Sequence, residues 1–378
     1  MDTIAINALS ARGGGGETYI RNLFNHFPNK NDFKVYLFIS HKILIPNLEN
    51  EKKIKVIFIK DRGPIFRIIW ENTLLHLYIL IYKIDLVFFP GGTIPLFKIK
   101  QVKFITMFRN MIPFDNKELA KFPFSSSFIR NRLLSFLLKN SMKRADNVIF
   151  ISKFGMRYIN KITKHTIKNQ ILIYHGISKF NRIPEYEFRN FRKFENFILY
   201  PSMIHNYKNQ IEVLKAYELF LEKNPVGPKL FFVGDGDHNY LNKLLDQIHR
   251  FKFKNKVKLF RNVPFNAMQI FYSKAKYIIF ASMSENCPNI LLEALSFGKA
   301  ILCSRKYPMP EFGKKNVLYF NANSPNELSI KMDLLSNNKK ILNSLEKKAK
   351  HHSKSFNIEK STSKTWNYLL YNMNNSKN

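Results

Sequence analysis

Residues 284–304 read SENCPNILLEALSFGKAILCS, and two carboxylates, Glu285 and Glu293, stand on either side of a helix start within them. The apolar run Tyr277–Ala281 ahead of the segment reads as a buried strand, and Pro288 falls in a first helical turn, where proline is best tolerated. The pattern predicts a helix from Pro288 to Phe297 that stops at Gly298. The first amides of a helix have no internal acceptor, so Asn289, Ile290 and Leu291 would turn free N–H groups toward the loop, where the helix dipole favours negative charge. That is a ready anion site. A carboxylate beside such a site adds little to stability, but it fits a phosphate-bearing ligand whose hydroxyls Glu285 accepts, with Glu293 reaching hydroxyls at the ligand's other end. Two glutamates alone would read as a loop acid and a solvated helix residue. The neighbouring motifs decide between the two.

Outward from this segment, short apolar runs alternate with helical stretches. The second half predicts strands at Phe197–Tyr200, Leu230–Val233, Val257–Leu259, Tyr277–Ala281, Ala300–Cys303 and Val317–Phe320. The first half predicts them at Ile4–Asn7, Val35–Ile39, Val56–Ile59, Leu86–Phe89, Val102–Met107, Asn147–Ile151 and Ile171–Tyr174, with helices near 18–27, 127–142 and 154–162. Alternation of this kind is the mark of an α/β chain whose parallel sheets are covered on both faces. A charged, aromatic stretch with Pro184 and no clear period interrupts it. The expected organisation is a first domain over 1–178, a linker over 179–196, a second domain over 197–352, and a closing helical segment, 353–378, returning to the first domain. Two doubly wound, Rossmann-like domains facing across a cleft would take ligands at the carboxyl ends of their strands.

Composition narrows the classes. The chain has 378 residues, 45% of them hydrophobic, enough for two packed cores. Lys+Arg number 61 against 27 Asp+Glu, a formal charge of +34, which predicts an anionic partner such as nucleic acid, anionic lipid or a phosphate-bearing substrate. Two cysteines, Cys287 and Cys303, make no disulfide framework and suit a reducing, cytoplasmic setting. The opening MDTIAINAL carries an acid and too short an apolar run for a signal peptide, and the most apolar run, Leu74–Tyr82, is under half of the ~20 residues a spanning helix needs. No Asp, His or Cys cluster has the spacing of a metal site, so no metal and no resident cofactor are expected.

Further motifs fall at strand ends. Lys208, opening a helix after Tyr200-Pro201-Ser202, is placed to set a point charge on a diphosphate. Phe232-Val233-Gly234-Asp235-Gly236 is a strand running into a glycine turn, and Gly13 to Gly16 follow the first strand, where glycine permits close backbone approach. The latter run lacks the Lys-Ser/Thr of a P-loop and the spacing of a dinucleotide fingerprint, and a plain flexible loop is an equal reading. Gly15 and Gly16 of that run, and Arg109 and Asn110 after Val102–Met107, are candidates for an acceptor or donor contact, with a surface salt bridge as the plain alternative for the arginine. The basic, Phe- and Leu-rich segment 128–144 could rest on an anionic membrane or simply pack on its sheet.

The segment around Glu285, Glu293, Ala294, Gly298 and the strand Ala300–Cys303 resembles the signature of glycosyltransferase family 4, retaining, nucleotide-sugar-dependent enzymes of the GT-B fold. The resemblance extends well over residues 197–325. It implies that Lys208 and Glu285 carry the reaction, Lys208 on the diphosphate and Glu285 on donor-sugar hydroxyls. It also implies that Glu293 holds the ribose, that Asn289, Ile290 and Leu291 meet the phosphate, and that Ser202, Gly234 and Val263 line the nucleotide. Ser202 stands where many members have an arginine, and the histidine that many present near residue 108 is missing. The implied partners are a nucleotide sugar and a glycan or lipid-linked acceptor bound by the first domain; the basic charge adds an expected peripheral contact with an anionic membrane, and no nucleic acid is expected. Two alternatives stay open: a basic nucleic-acid-binding protein, and a GT-B epimerase or phosphorylase.

Overall fold

The computed structural model describes residues 2–11, 14–28, 32–40, 52–60, 62–120, 126–177 and 194–375. They form two compact units, one of residues up to Gly176 together with those from Ile358 onward, the other of Ile177–Asn357. The linker expected over 179–196 lies, apart from its last three residues, outside the described residues.

The first unit is built on a seven-stranded parallel sheet: β1 (Asp2–Asn7), β2 (Phe33–Ile39), β3 (Ile54–Phe58), β4 (Leu86–Phe89), β5 (Lys103–Phe108), β6 (Asn147–Phe150) and β7 (Gln170–Leu172), in the order β3-β2-β1-β4-β5-β6-β7. Around the sheet lie α1 (Gly14–Asn25), α2 (Pro64–Asn72), α3 (Leu74–Ile81), α4 (Asn116–Leu119), α5 (Ser126–Arg144) and α6 (Lys153–Ile162). The central strands are buried along their length, β4 as LVFF and β6 as NVIF, which is why they read as unbroken apolar runs. Helix α6 starts where Ser152 accepts from the Gly155 amide, a side-chain cap. Helix α1 begins earlier than its periodicity predicts, since Gly14 to Gly16 wind into its first turn, with Gly14 at φ +54°. The basic segment 128–144 belongs to α5; it packs Leu138 and Met142 into the core and exposes Ile129, Leu133 and Phe136.

The second unit carries a six-stranded parallel sheet of β8 (Phe197–Pro201), β9 (Lys229–Val233), β10 (Val257–Phe260), β11 (Tyr277–Phe280), β12 (Ile301–Ser304) and β13 (Leu318–Phe320), ordered β10-β9-β8-β11-β12-β13. Its helices are α7 (Gln210–Lys223), α8 (His238–Arg250), α9 (Met268–Lys274), α10 (Asn289–Ser296), α11 (Met309–Gly313), α12 (Pro325–Asn337) and α13 (Lys339–Ser353). Met309–Gly313 is a single helical turn, α11. Helix α7 buries Val213, Leu214, Tyr217, Phe220 and Leu221, and each such side chain contributes about 1.5–3 kcal/mol by leaving water. An exposed pair such as Lys215–Glu212 adds less than about 1 kcal/mol, so core burial dominates. The last helix, α14 (Ile358–Asn374), is part of the first unit: Trp366 donates its indole N–H to the Leu23 carbonyl at 2.8 Å and meets Phe24 and Phe27 edge-on.

Each sheet turns back on itself once. Strand order reverses between β1 and β4 in the first unit and between β8 and β11 in the second, and a crevice opens outside the carboxyl ends of strands at such a point. The glycine turn after β9 is pressed on the chain leaving β8. A Cβ on Gly234, which sits at φ +152°, would come 2.0 Å from the Ser202 carbonyl oxygen, and one on Gly236 would come 2.2 Å from that of Ile204. Gly234→Ala is therefore expected to lower stability by roughly 2 kcal/mol or more. The check is the thermal midpoint, with Gly14→Ala, whose Cβ meets nothing within 4 Å, as a milder comparison at positive φ.

Candidate active site

The carboxyl ends of β8 and β11 carry the centre of the second unit. After β8, Ser202 is buried, donates its amide to the Val233 carbonyl at 2.9 Å and turns its hydroxyl to the Met203 carbonyl. A short helical turn, Asn206–Lys208, follows. Its end is fixed by the buried Tyr200 hydroxyl, which donates to the Lys208 carbonyl, and by Asn209 in the left-handed region, whose amide donates to Ala322 at 2.7 Å. The Lys208 side chain runs past the rings of Tyr207 and Phe280, 5.0 and 5.6 Å away, and its ammonium pairs with Glu285 Oε1. The two side chains are 8% and 14% exposed. The loop holding Glu285 is tied to the Lys208 turn through the Met283 amide on the Tyr207 carbonyl at 2.7 Å.

Helix α10 begins four residues beyond Glu285. Pro288 is its N-cap rather than its first helical residue, and the Pro288 carbonyl accepts the Leu292 amide at 3.1 Å. Of the three amides expected to be open, Asn289 is engaged by the Cys287 carbonyl at 3.0 Å, and those of Ile290 and Leu291 stand ahead of the first helical bond. The helix ends as predicted at Gly298, in the left-handed conformation at φ +64°.

Glu293 lies just past the first turn of α10, and its contact is a different one. One oxygen accepts from the Tyr272 hydroxyl at 2.8 Å; the other makes no hydrogen bond to the described residues. The Tyr272 ring, fully buried, stacks on Phe297 at 5.0 Å. Burial pushes the Glu293 carboxyl up to about 7, against the opposing pull of the Tyr272 hydrogen bond.

The remaining predicted residues sit nearby in the fold with more structural employment than the sequence suggested. Gly234 is the point where β9 meets the Ser202 backbone, so its close approach is to protein. Val263 is half-buried after Asn262, which takes a left-handed turn beyond β10. Just before it, Arg261 makes a two-pronged ion pair with Asp235, both contacts at 3.2 Å. Asp235 is held below the usual carboxylate range by the Gly236 amide and by Arg261. Sequence reasoning did not select this pair, because one arginine among so many cations carries no signal.

In the first unit the candidates cluster at the start of α1. The Arg109 guanidinium donates to the Gly15 carbonyl and lies 5.2 Å over the Tyr19 ring, which stacks in turn on His175. Gly16 is packed close: its Cβ position would be 3.2 Å from Ala11 Cα and 3.8 Å from Arg109. Arg109 thus anchors the glycine turn, where the sequence suggested either a ligand contact or a surface salt bridge. Asn110 is exposed and accepts the Ile112 amide at 3.1 Å. One buried charge was missed altogether: Glu71 accepts from Asn7, at the end of β1, at 2.8 Å, and burial pushes its carboxyl up to about 7.

Residues 182–352 match the family described as glycosyl transferases group 1. The chain carries a group 1 glycosyltransferase domain. This agrees with the resemblance read from residues 284–304. The chain is 24% identical to the O-antigen chain mannosyltransferase RfbU of Salmonella typhimurium over 54% of its own length and 55% of RfbU's, so the match spans little more than half of that relative. A glycosyltransferase from Rickettsia africae superposes with a TM-score of 0.72 at 18% identity, over 97% of each chain. Anabaena HepE, solved with UDP and glucose, superposes at 0.71 and 14% identity, over 98% of this chain and 100% of that one. At these identities the likeness establishes the fold alone: GT-B, with two Rossmann-like units. Ser202, Lys208, Gly234, Val263, Glu285, Asn289, Ile290, Leu291 and Glu293 all lie within the matched residues.

Two outcomes follow for this domain. Lys208→Met leaves Glu285 buried without its partner and is expected to cost about 3–5 kcal/mol, whereas Lys208→Met with Glu285→Gln recovers most of it; denaturant titration of the three proteins checks this. The second concerns pH. Unfolded, Glu293 titrates near 4.5, and folded it titrates at about 7, so between these values the folded state binds more protons. Stability must then fall as pH rises through that window. Glu293→Gln is expected to flatten the slope and to be more stable than the parent at about pH 8, by about 1–3 kcal/mol. Thermal midpoints across pH measure it.

Proposed function

We propose that the protein transfers a sugar from a nucleotide diphosphate sugar to a hydroxyl of a glycan or lipid-linked oligosaccharide, with retention at the anomeric carbon, in the synthesis of a surface polysaccharide. The observation that carries the reading is the buried Lys208–Glu285 pair at the β8/β11 reversal, four residues ahead of α10. The name of RfbU and the UDP and glucose bound to HepE support the choice of donor class and of pathway.

In the reaction the bond between the anomeric carbon and the diphosphate oxygen breaks, and its electron pair leaves with the diphosphate. The acceptor oxygen forms its bond to the anomeric carbon from the same face, and its proton passes to the departing phosphate. Negative charge grows on the diphosphate as positive charge grows on the sugar ring. The Lys208 ammonium and the amides of Ile290 and Leu291 are the groups proposed to meet the former, an already oriented field where rearrangement costs little. No metal is assigned to this step. Glu285, sharing Lys208, is proposed to accept donor-sugar hydroxyls, and the second oxygen of Glu293 to accept from the ribose. The first unit is proposed to receive the acceptor, the enzyme working at the inner face of the cytoplasmic membrane.

The test is a thermal-shift screen against UDP, GDP and ADP and their sugar conjugates. One diphosphate series is expected to raise stability by a few kcal/mol at concentrations well above its dissociation constant. Glu293→Gln should weaken that effect. Glu285→Gln should retain nucleotide binding but lower turnover about 100- to 1,000-fold. Stabilisation by duplex DNA or RNA and by no nucleotide sugar would overturn the reading.

A further inference from the structure

Nineteen large hydrophobic side chains are exposed among the described residues, and ten of them fall between Phe58 and Phe97, against five in the whole second unit. They are organised. On α2, Ile65, Ile68 and Ile69 form one exposed stripe at helical spacing, while Trp70 on the opposite face is buried. On α3, Leu74, Leu77, Leu80 and Ile81 form a second stripe, with Leu75 and Ile79 buried behind it. The loop after β4 adds Leu96 and Phe97, the latter 72% exposed, and holds them against the same helices. The Leu96 amide donates to Asn72 at 2.6 Å, and His76 donates to the Phe97 carbonyl at 3.0 Å. Arg144, at the end of α5, donates to the Leu96 carbonyl as well. A chain that exposes this much aliphatic surface and then fixes it with hydrogen bonds has built a face for a partner.

The chemistry of the face selects among partners. Cores of protein interfaces are rich in Tyr, Trp and Arg. This one presents Leu and Ile with one Phe ring, and Trp70 is turned inward. Its surroundings are cationic. Among the described residues from 52 to 100 there are nine lysines and arginines and two acids, Glu71 and Asp85. Glu71 is buried against Asn7, and Asp85 accepts the Thr3 amide. Exposed Lys60 and Arg62 stand just before α2, and exposed Lys83 just after α3. No helix among the described residues is long and apolar enough to cross a membrane, and α3, at eight residues, is about 12 Å long.

We propose that helices α2 and α3 and the Leu96–Phe97 loop are a bilayer-docking face, seating Leu and Ile at the acyl boundary while flanking cations meet anionic headgroups. It supplies the surface for the membrane setting proposed above, and it rests on no donor chemistry. A second exposed stripe, Ile129, Leu133 and Phe136 on α5, is smaller and lacks the tethered loop.

The experiment is co-sedimentation of the full chain with vesicles of phosphatidylcholine alone and with vesicles also containing phosphatidylglycerol. Parent protein is compared with Leu77→Asp/Leu80→Asp and with Leu133→Asp/Phe136→Asp. The parent should bind the anionic vesicles and bind the neutral ones at least tenfold more weakly. The α3 variant should lose at least tenfold on anionic vesicles; the α5 variant should lose less. Equal binding by parent and α3 variant, a loss confined to the α5 variant, or no vesicle binding by the parent would overturn the proposal. So would a parent dimer in light scattering that the α3 substitutions dissociate, since a second copy would then cover the face. Nucleotide-induced stabilisation, measured on the same proteins, should be unchanged and reports separately on the transferase reading.

Discussion

A lysine and a glutamate, nearly out of water, hold one another at the point where the second sheet reverses direction. Two charges taken out of water need each other, because neither is tolerable alone. The pair joins loops 77 residues apart in sequence, and the surrounding bonds keep its geometry: Tyr200 on the Lys208 carbonyl, Asn209 on Ala322, Met283 on Tyr207. A nonpolar pair would fill this place without the desolvation penalty. What a nonpolar pair lacks is the oriented cation and carboxylate that the proposed reaction assigns to the leaving phosphate and the sugar hydroxyls.

The rest of the unit follows from holding those loops in place. Apolar strands buried on both faces give a sheet that barely deforms, and all their carboxyl ends open at one edge. Gly234 and Gly236 allow the β9 turn to lie against the 202–204 backbone, so that edge is close-packed. Glu293 is set by a third element, α9, through Tyr272, and its withdrawal from solvent raises its proton affinity. The first unit has its own buried carboxylate, Glu71 on Asn7, at the end of β1, where its sheet also reverses. It also has a stacked set of Arg109, Tyr19 and His175 holding the start of α1.

Local signals were readable and long-range ones were not. Pro288 and Gly298 bracket α10 in the sequence because start and stop preferences act within a turn, and the unbroken apolar runs announced parallel strands. The glycines misled in two ways. A glycine turn shows that something comes close, not what: at Gly234 it is the Ser202 carbonyl. Gly14 to Gly16 lower helix propensity, yet the fold winds them into α1, with Arg109 on the Gly15 carbonyl. Lys208 stood out from so many other cations only through its family resemblance, and its pairing with Glu285 was not foreseen. Tyr272 with Glu293, Arg261 with Asp235 and Asn7 with Glu71 are 21, 26 and 64 residues apart, and no periodicity or motif links such partners.

The Lys208–Glu285 pair is proposed to open as it receives a diphosphate and a sugar. The direct measurement is a crystal structure of the chain with the nucleotide sugar that stabilises it. In it Lys208 Nζ is expected on a diphosphate oxygen, Glu285 on sugar hydroxyls, and the second oxygen of Glu293 on the ribose. An intact Lys208–Glu285 pair with the nucleotide bound elsewhere would contradict the proposal.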